Sequence, residues 1–427
     1  MNAAFTHPYS NRRQRGAAAL VVTMLLFFAM MLVALFVNRN LVFEQRSAAN
    51  QYRSTQAFEA AQAGLEWALA QLNHPQRIGP DCRPTADPAA SSFRSRYLTY
   101  VHGGATFVPA TWSDSGVATA LHPACVRSGS GWACSCPSAG LPTLDPPPGA
   151  TPAAAFTLQF LPSAKPGVVR ISATGCTSLA GACLPGAATS ADATAKIEVA
   201  FGLLAGLHTP PAAAITTRGA FDADTAPLGV HNPDPATGIA IHAGTTIAAS
   251  RALLTAPAGA PMAGALVGND GPLAALSADR YFAAAFGIDK ASWRNQPAVT
   301  RIECRGDCSR ALATEIDAAA GNALIWVDGD LALTGPLTLG SLQHPVVIVA
   351  SGAARLDGAV ALYGVLYSAA LRWDDTTGGA FLRGAVLSES SYQGNGTPEF
   401  FYDTAVLAAL VGNSGSFARV NGSWRDF

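Results

Sequence analysis

Residues Ala17 to Val37 read AAALVVTMLLFFAMMLVALFV, an unbroken apolar run with no charge and no proline. As a helix rising about 1.5 Å per residue, such a run crosses the roughly 30 Å hydrocarbon core of a bilayer. It is the one stretch of the chain with that length and composition. Arg12, Arg13 and Arg15 stand before it with no acidic residue, so the positive-inside rule places the segment from Met1 to Gly16 in the cytoplasm and the bulk of the chain outside. Arg39, Arg46 and Arg53 follow on the far side. A cleaved secretory signal has a shorter apolar core that ends at a small-residue site. Here the small residue, Gly16, precedes the apolar run. The helical pattern also outlasts the membrane. From Asn38 to Asn73 there is no proline and one glycine, Gly64, while Phe58, Ala61, Leu65, Ala68 and Leu72 recur at 3-4-3-4 spacing with Leu69 widening the stripe. His74-Pro75 ends it. One helix from Ala17 to Asn73 spans about 85 Å, half of it suited to lipid and half presenting an apolar face that needs a covering layer.

These residues carry a resemblance. Basic residues before Gly16, the run AAALVVTMLLFFAMMLVALF, and the block FEQRSAANQYRSTQAFEAAQAGLEWALAQL from Phe43 to Leu72 resemble the type IV pilins and, within them, the minor pilins of PilX type. The resemblance covers roughly 60 residues. It implies a prepilin leader, residues 1–16, that a prepilin peptidase removes between Gly16 and Ala17, and a core helix, residues 17–75, that packs inside a filament. It implies an inner-membrane protein, single-pass, with its bulk periplasmic and later displayed on the pilus or cell surface. Major pilins have a glutamate at the fifth mature position, where the buried carboxylate pairs with the N-terminal amine of a neighbour; the fifth residue here is Val21. A subunit lacking that carboxylate leaves the amine of a subunit docked above it buried and unpaired, at a cost of several kcal/mol. The likeness therefore implies a place at the tip or in the priming complex, with other minor and major pilins, and a large tip adhesin, as partners.

The remainder of the chain is of a different kind. Only 13% of residues are charged, the formal net charge is -1, and 41 Gly and 28 Pro punctuate short apolar runs. That composition excludes a helical bundle for the bulk and favours many short strands. No basic stripe interleaves with aromatics, which excludes a nucleic-acid groove. Residues 76–205 are rich in Pro, Ser, Gly and Cys, with LDPPPGATP (144–152) as a loop and strand patterns at 155–160, 168–174 and 193–201. They form the expected antiparallel sheet over the exposed half of the helix. All eight cysteines, Cys82, Cys125, Cys134, Cys136, Cys176, Cys183, Cys304 and Cys308, lie beyond the membrane run, and an even number in an oxidising compartment reads as disulfides. Spacing suggests Cys176–Cys183 and Cys304–Cys308, with the first four pairing among themselves. A zinc site from those four is disfavoured by spacing unlike the twin CxxC pattern.

Residues 206–427 read as a β-rich, solenoid-like module. In IWVDGDLALTGPLTLG, Ile325, Val327, Leu331, Leu333, Leu337 and Leu339 alternate with Gly329 and Gly335 in register, and the pattern returns at Leu356, Val360, Leu362 and Leu366, and again at Leu382 and Val386. Gly335, Gly358 and Gly379 recur at nearly even intervals, a spacing compatible with stacked coils, although a β-sandwich fits the same irregular pattern. An earlier piece, GIAIHAGTTIAAS, carries the same signal, and a partly helical insertion is expected near 274–320. The expected fold class is α+β.

Little in this module points to catalysis. Asp328 with Asp330, and Asp374 with Asp375, are the acid pairs that calcium binding or glycoside chemistry would use, but Asp-Gly and Asp-Asp are also ordinary turn residues. His7, His74, His122 and His344 each precede proline, and no HExxH, GxSxG, Walker or dinucleotide motif occurs. Tyr363, Tyr367, Trp373, Tyr392 and Tyr402 read as packing residues before they read as a sticky surface. The expectation is a protein with no cofactor and no enzymatic activity, supporting adhesion or motility by assembly and display. A membrane-anchored adhesin unrelated to pili and a solenoid polysaccharide hydrolase are the alternatives.

Overall fold

A computed structural model describes residues 15–101, 104–114, 116–145, 153–177, 183, 193–223, 227–375 and 377–427. The chain divides into two units, residues 1–56 and 57–427. The leader arginines Arg12 and Arg13, and His7, lie outside the described residues.

Arg15–Asn73 is a single helix. In the first unit every described residue from Gly16 to Thr55 is exposed. In the second, the helical residues Ala57, Ala60, Ala61, Leu65, Ala68 and Leu72 are buried and Phe58 and Leu69 half-buried, the stripe expected from the spacing. This face rests on an antiparallel sheet ordered Gly415–Arg419, Thr194–Ala205, Val168–Cys176, Ala155–Leu161, Ala124–Ser128, Gly131–Ser135, with Arg425–Asp426 also paired to Thr194–Ala205. Two glycines set how closely the layers approach. A Cβ on Gly175 would run into the Ala57 carbonyl and the Ala61 main chain, and one on Gly64 would sit 2.9 Å from the Phe156 ring. Small residues on the helix face and glycine on the strand thus bring backbone against backbone. Phe93, Tyr97, Phe107, Phe156 and Phe160 fill the remaining space beneath the sheet.

Between Ala213 and Tyr402 the strands among the described residues pair with one another only in parallel. The chain winds in three-sided coils that stack in register. Three inward columns run through the stack: Ile325, Ile348, Leu366, Val386, Ile215, Ile241 and Leu266 on one side; Leu331, Ala354, Leu371, Tyr392, Phe221 and Ile247 on the second; Leu339, Leu362, Leu382, Phe400, Val230 and Leu254 on the third. Parallel strands buried on both faces carry continuous apolar runs, as in Val346–Ala350. Gly335 and Gly358 fall at equivalent corners of adjacent coils, where a Cβ on Gly335 would meet the Ala359 main chain at 2.5 Å.

The coils are not stacked in chain order. Val299–Glu303 starts the stack at one end, with Leu324–Asp328, Val346–Ala350, Val360–Ser368 and Phe381–Ser388 following, and Ala213–Thr217 then pairs with Phe381–Ser388. The earliest coils therefore sit beyond the latest ones. The expected insertion near 274–320 contains three short helices, Ala278–Phe286, Lys290–Arg294 and Ser309–Ala318, with Gly271–Ala274 at its start, and also the strand Val299–Glu303 of the stack. The composition alone extends the β-rich module to residue 427. Strand pairing instead returns Gly415–Arg419 and Arg425–Asp426 to the antiparallel sheet, because a long strand, Thr194–Ala205, leaves an edge for them.

Candidate assembly site

The start of the long helix is chemically spare. Between Gly16 and Asn38 no side chain is ionisable, and the hydroxyl of Thr23 donates to the Leu20 carbonyl at 2.9 Å, so it presents no unsatisfied polar group to lipid. Val21 is 55% exposed. Gly16 lies within the helix and nothing stands within 4 Å of where its Cβ would be. The described fold supplies no steric reason for a glycine here.

Where the helix ends, the second unit binds it through main-chain acceptors. The amide of Asn73 donates to the Phe417 carbonyl at 3.0 Å and accepts from the Phe417 N–H at 2.7 Å. Arg94, on the short helix Phe93–Tyr97, donates to the carbonyls of Leu72, Asn413 and Gly415 and lies 4.9 Å over the Phe417 ring. Two of those carbonyls belong to the last turns of helices, Arg15–Asn73 and Thr404–Asn413, whose C-terminal dipole ends favour a cation. Burial still pulls the Arg94 guanidinium down to about 10. Neither Asn73 nor Arg94 stands out in the sequence. The one signal for Asn73 is its place as the last helical residue before His74-Pro75.

The cysteines form Cys82–Cys136, Cys125–Cys134, Cys176–Cys183 and Cys304–Cys308. Among the described residues no three His, Cys, Asp or Glu side chains converge as metal ligands.

The acid pairs are committed to local structure. Asp328 receives Arg294 through two nitrogens at 2.9 and 2.7 Å and the Trp326 indole at 2.8 Å, and these bonds, Arg294 first, hold its carboxyl below the usual range. Asp330 accepts from the Ala353 N–H at 2.8 Å, and Asp374 pairs with Arg372 at 2.7 Å. Asp375 is fully buried and accepts from the N–H groups of Thr377, Gly378 and Ala380, closing its own loop. His74 and His344 stand in loops, and His122 faces the Leu158 carbonyl with its imidazole pKa lowered by burial. Of the five aromatic side chains, Tyr367, Trp373, Tyr392 and Tyr402 are buried and only Tyr363 is half-exposed.

Comparison with known proteins bears on the helix. Residues 15–66 match the family model described as PilX N-terminal. Among solved structures the chain is similar to the competence-associated pilin ComZ from Thermus thermophilus, at 14% identity over 88% of this chain and 97% of that one, with a TM-score of 0.23. No curated protein matches the sequence.

Proposed function

We propose, from the type IV pilin-like, PilX-type segment at residues 15–66, that the protein is a minor pilin that primes filament assembly and is displayed at or near the pilus tip. The observation that carries the reading is the glycine at the head of the uncharged stretch from Ala17 to Asn38. Gly16 relieves no contact within the described fold, as expected of a residue kept for recognition by a processing peptidase. After the cut, Ala17 is the new N-terminus and the apolar helix holds the subunit in the inner membrane with its bulk in the periplasm. The helix then moves laterally from lipid into the filament core, where neighbouring apolar helices replace the acyl chains. Val21 cannot receive the amine of a subunit above, so the position this chain fills is one with no subunit above it.

The stacked β coils, a β-solenoid module, are too bulky to repeat along a shaft and face outward for adhesion or motility. The chain acts by assembly and display, with other pilins as partners, and performs no reaction of its own. Gly16→Leu tests this: intact-mass measurement is expected to show the leader from Met1 onward retained, with surface pili lost. Normal piliation with an uncleaved chain would overturn the proposal.

A further inference from the structure

The stack of coils has two unlike ends. At one, the helix Ser309–Ala318 lies against the coil with Arg310, Glu315 and Asp317 exposed, a polar cap of the kind that keeps stacked repeats soluble. At the other end the described residues place the short uncharged turn Met262–Ala265 beside Leu253–Thr255 and no charged helix across the coil. All three inward columns are fully buried through Ile241, Phe221 and Val230, and then become only half-buried at Leu266, Ile247 and Leu254, their last members. Among the described residues the strands carrying these side chains, Leu266–Val267, Ile247–Ala248 and Leu253–Thr255, each pair on one side only, which leaves an open edge. Leu253 is 60% exposed and Met262 44%. Edge strands ordinarily carry charges to discourage pairing, yet Arg251 is the one Asp, Glu, Lys or Arg between Ile239 and Gly268. It is exposed in the turn between two of these edges, with no carboxylate against it among the described residues.

We propose that this open end is a docking surface for an edge strand of a different protein, which adds in register beyond Leu253–Thr255 and supplies the missing coil. The occupant has alternating apolar residues that cover Leu254 and its neighbours, and a carboxylate facing Arg251. Main-chain pairing would give affinity and the covered columns specificity, as in other strand-addition complexes. A second copy of this chain is the poorer fit. An identical end has no Asp or Glu between Ile239 and Gly268 with which to face Arg251.

The inference does not depend on the pilus reading and is tested on the full chain in intact cells. A photo-cross-linking residue replaces the exposed Leu253, and the cross-linked peptide is sequenced by mass spectrometry. The expected result is one discrete adduct to another protein, linked within an alternating apolar segment that contains an acidic residue. Arg251→Glu is expected to lower adduct yield about fivefold or more and Arg251→Lys to preserve it, as charge complementarity requires; circular dichroism checks that both variants are folded. An adduct with a second copy, a link to a helical segment, no adduct, or a yield indifferent to Arg251→Glu would each overturn the proposal.

Discussion

Gly175→Ala is a single methyl group placed where the helix and the sheet meet, and its cost follows from geometry. The new Cβ would overlap the Ala57 carbonyl and come 2.4 Å from the Ala61 nitrogen, both main-chain atoms of a regular helix that cannot rotate away. Relief requires the helix and the strand to separate, and a gap of about 0.5–1 Å already forfeits about a quarter to a half of each dispersion contact across it. Ala61, Leu65, Ala68 and Leu72 share that interface. With overpacking alone costing about 1–3 kcal/mol and part of the burial of two leucines added, each contributing about 1.5–3 kcal/mol, the expected loss is roughly 3–5 kcal/mol. Gly131→Ala is the control: it lies in an edge strand with nothing within 4 Å of its Cβ and is expected to change stability by less than about 1 kcal/mol. The assay is urea unfolding of the detergent-solubilised chain followed by near-ultraviolet circular dichroism. Equal midpoints for the two variants would refute the close approach of helix and sheet and the account of the small-residue face built on it.

Further outcomes follow from other residues. Val21→Glu supplies a carboxylate at the fifth mature position and is expected to spread the protein along filament shafts, scored by immunogold labelling against a tip-confined wild type. Replacing Cys82 and Cys136 by serine opens a bridge with a sequence separation of 54 and is expected to cost about 4 kcal/mol on the loop-entropy account, read as a lower urea midpoint. Asp270 is held below the usual carboxylate range first by its bond from His242 at 2.7 Å and then by the Leu273 N–H. Its contribution is present above the ordinary carboxylate pKa and is lost as pH falls through the lowered value. The gap in urea midpoint between wild type and Asp270→Asn is therefore expected to be full near neutrality and to close in acid.

What was legible in the sequence was local. The apolar run, the stripe at Ala61, Leu65, Ala68 and Leu72, and the period-2 alternation from Ile325 to Leu339 each arise within one or two elements, and each recurs in the fold. Pairing between distant segments left no such trace. Ile215 lies beside Val386, and Gly415 beside Ala205, yet nothing in either segment marks the other as its partner. The aromatic residues show the same limit. Period-2 spacing says that Tyr363 and Tyr367 lie in a strand, but whether a face is covered depends on the helix Ala278–Phe286, whose Phe282 and Phe286 rings pack at 5.0 and 5.6 Å from Tyr367. For the acid pairs the missing information was Arg294, a residue far from Asp328 in sequence that turns it into a structural anchor.

The placement of the coil module explains how two such different structures share one chain. Its connections leave from Ala205 and return at Gly415, and these two residues are direct partners in the antiparallel register. The whole of residues 206–414 is thus inserted at a single point on a sheet edge, with its ends as close as neighbouring strands allow. Gly415 adopts a φ of +121°, and a Cβ there would strike the Leu204 carbonyl, so glycine is what permits the returning chain to turn into the sheet at that point. An insertion whose ends meet imposes little strain on its host. The Asn73 and Arg94 contacts to Phe417, Asn413 and Gly415 fasten the returning strand to the end of the helix. The coil module is fastened near the same place by a second set of bonds, in which the Ala320 N–H donates to the Pro75 carbonyl and Arg77 donates to the Asp317 carbonyl at 2.6 Å.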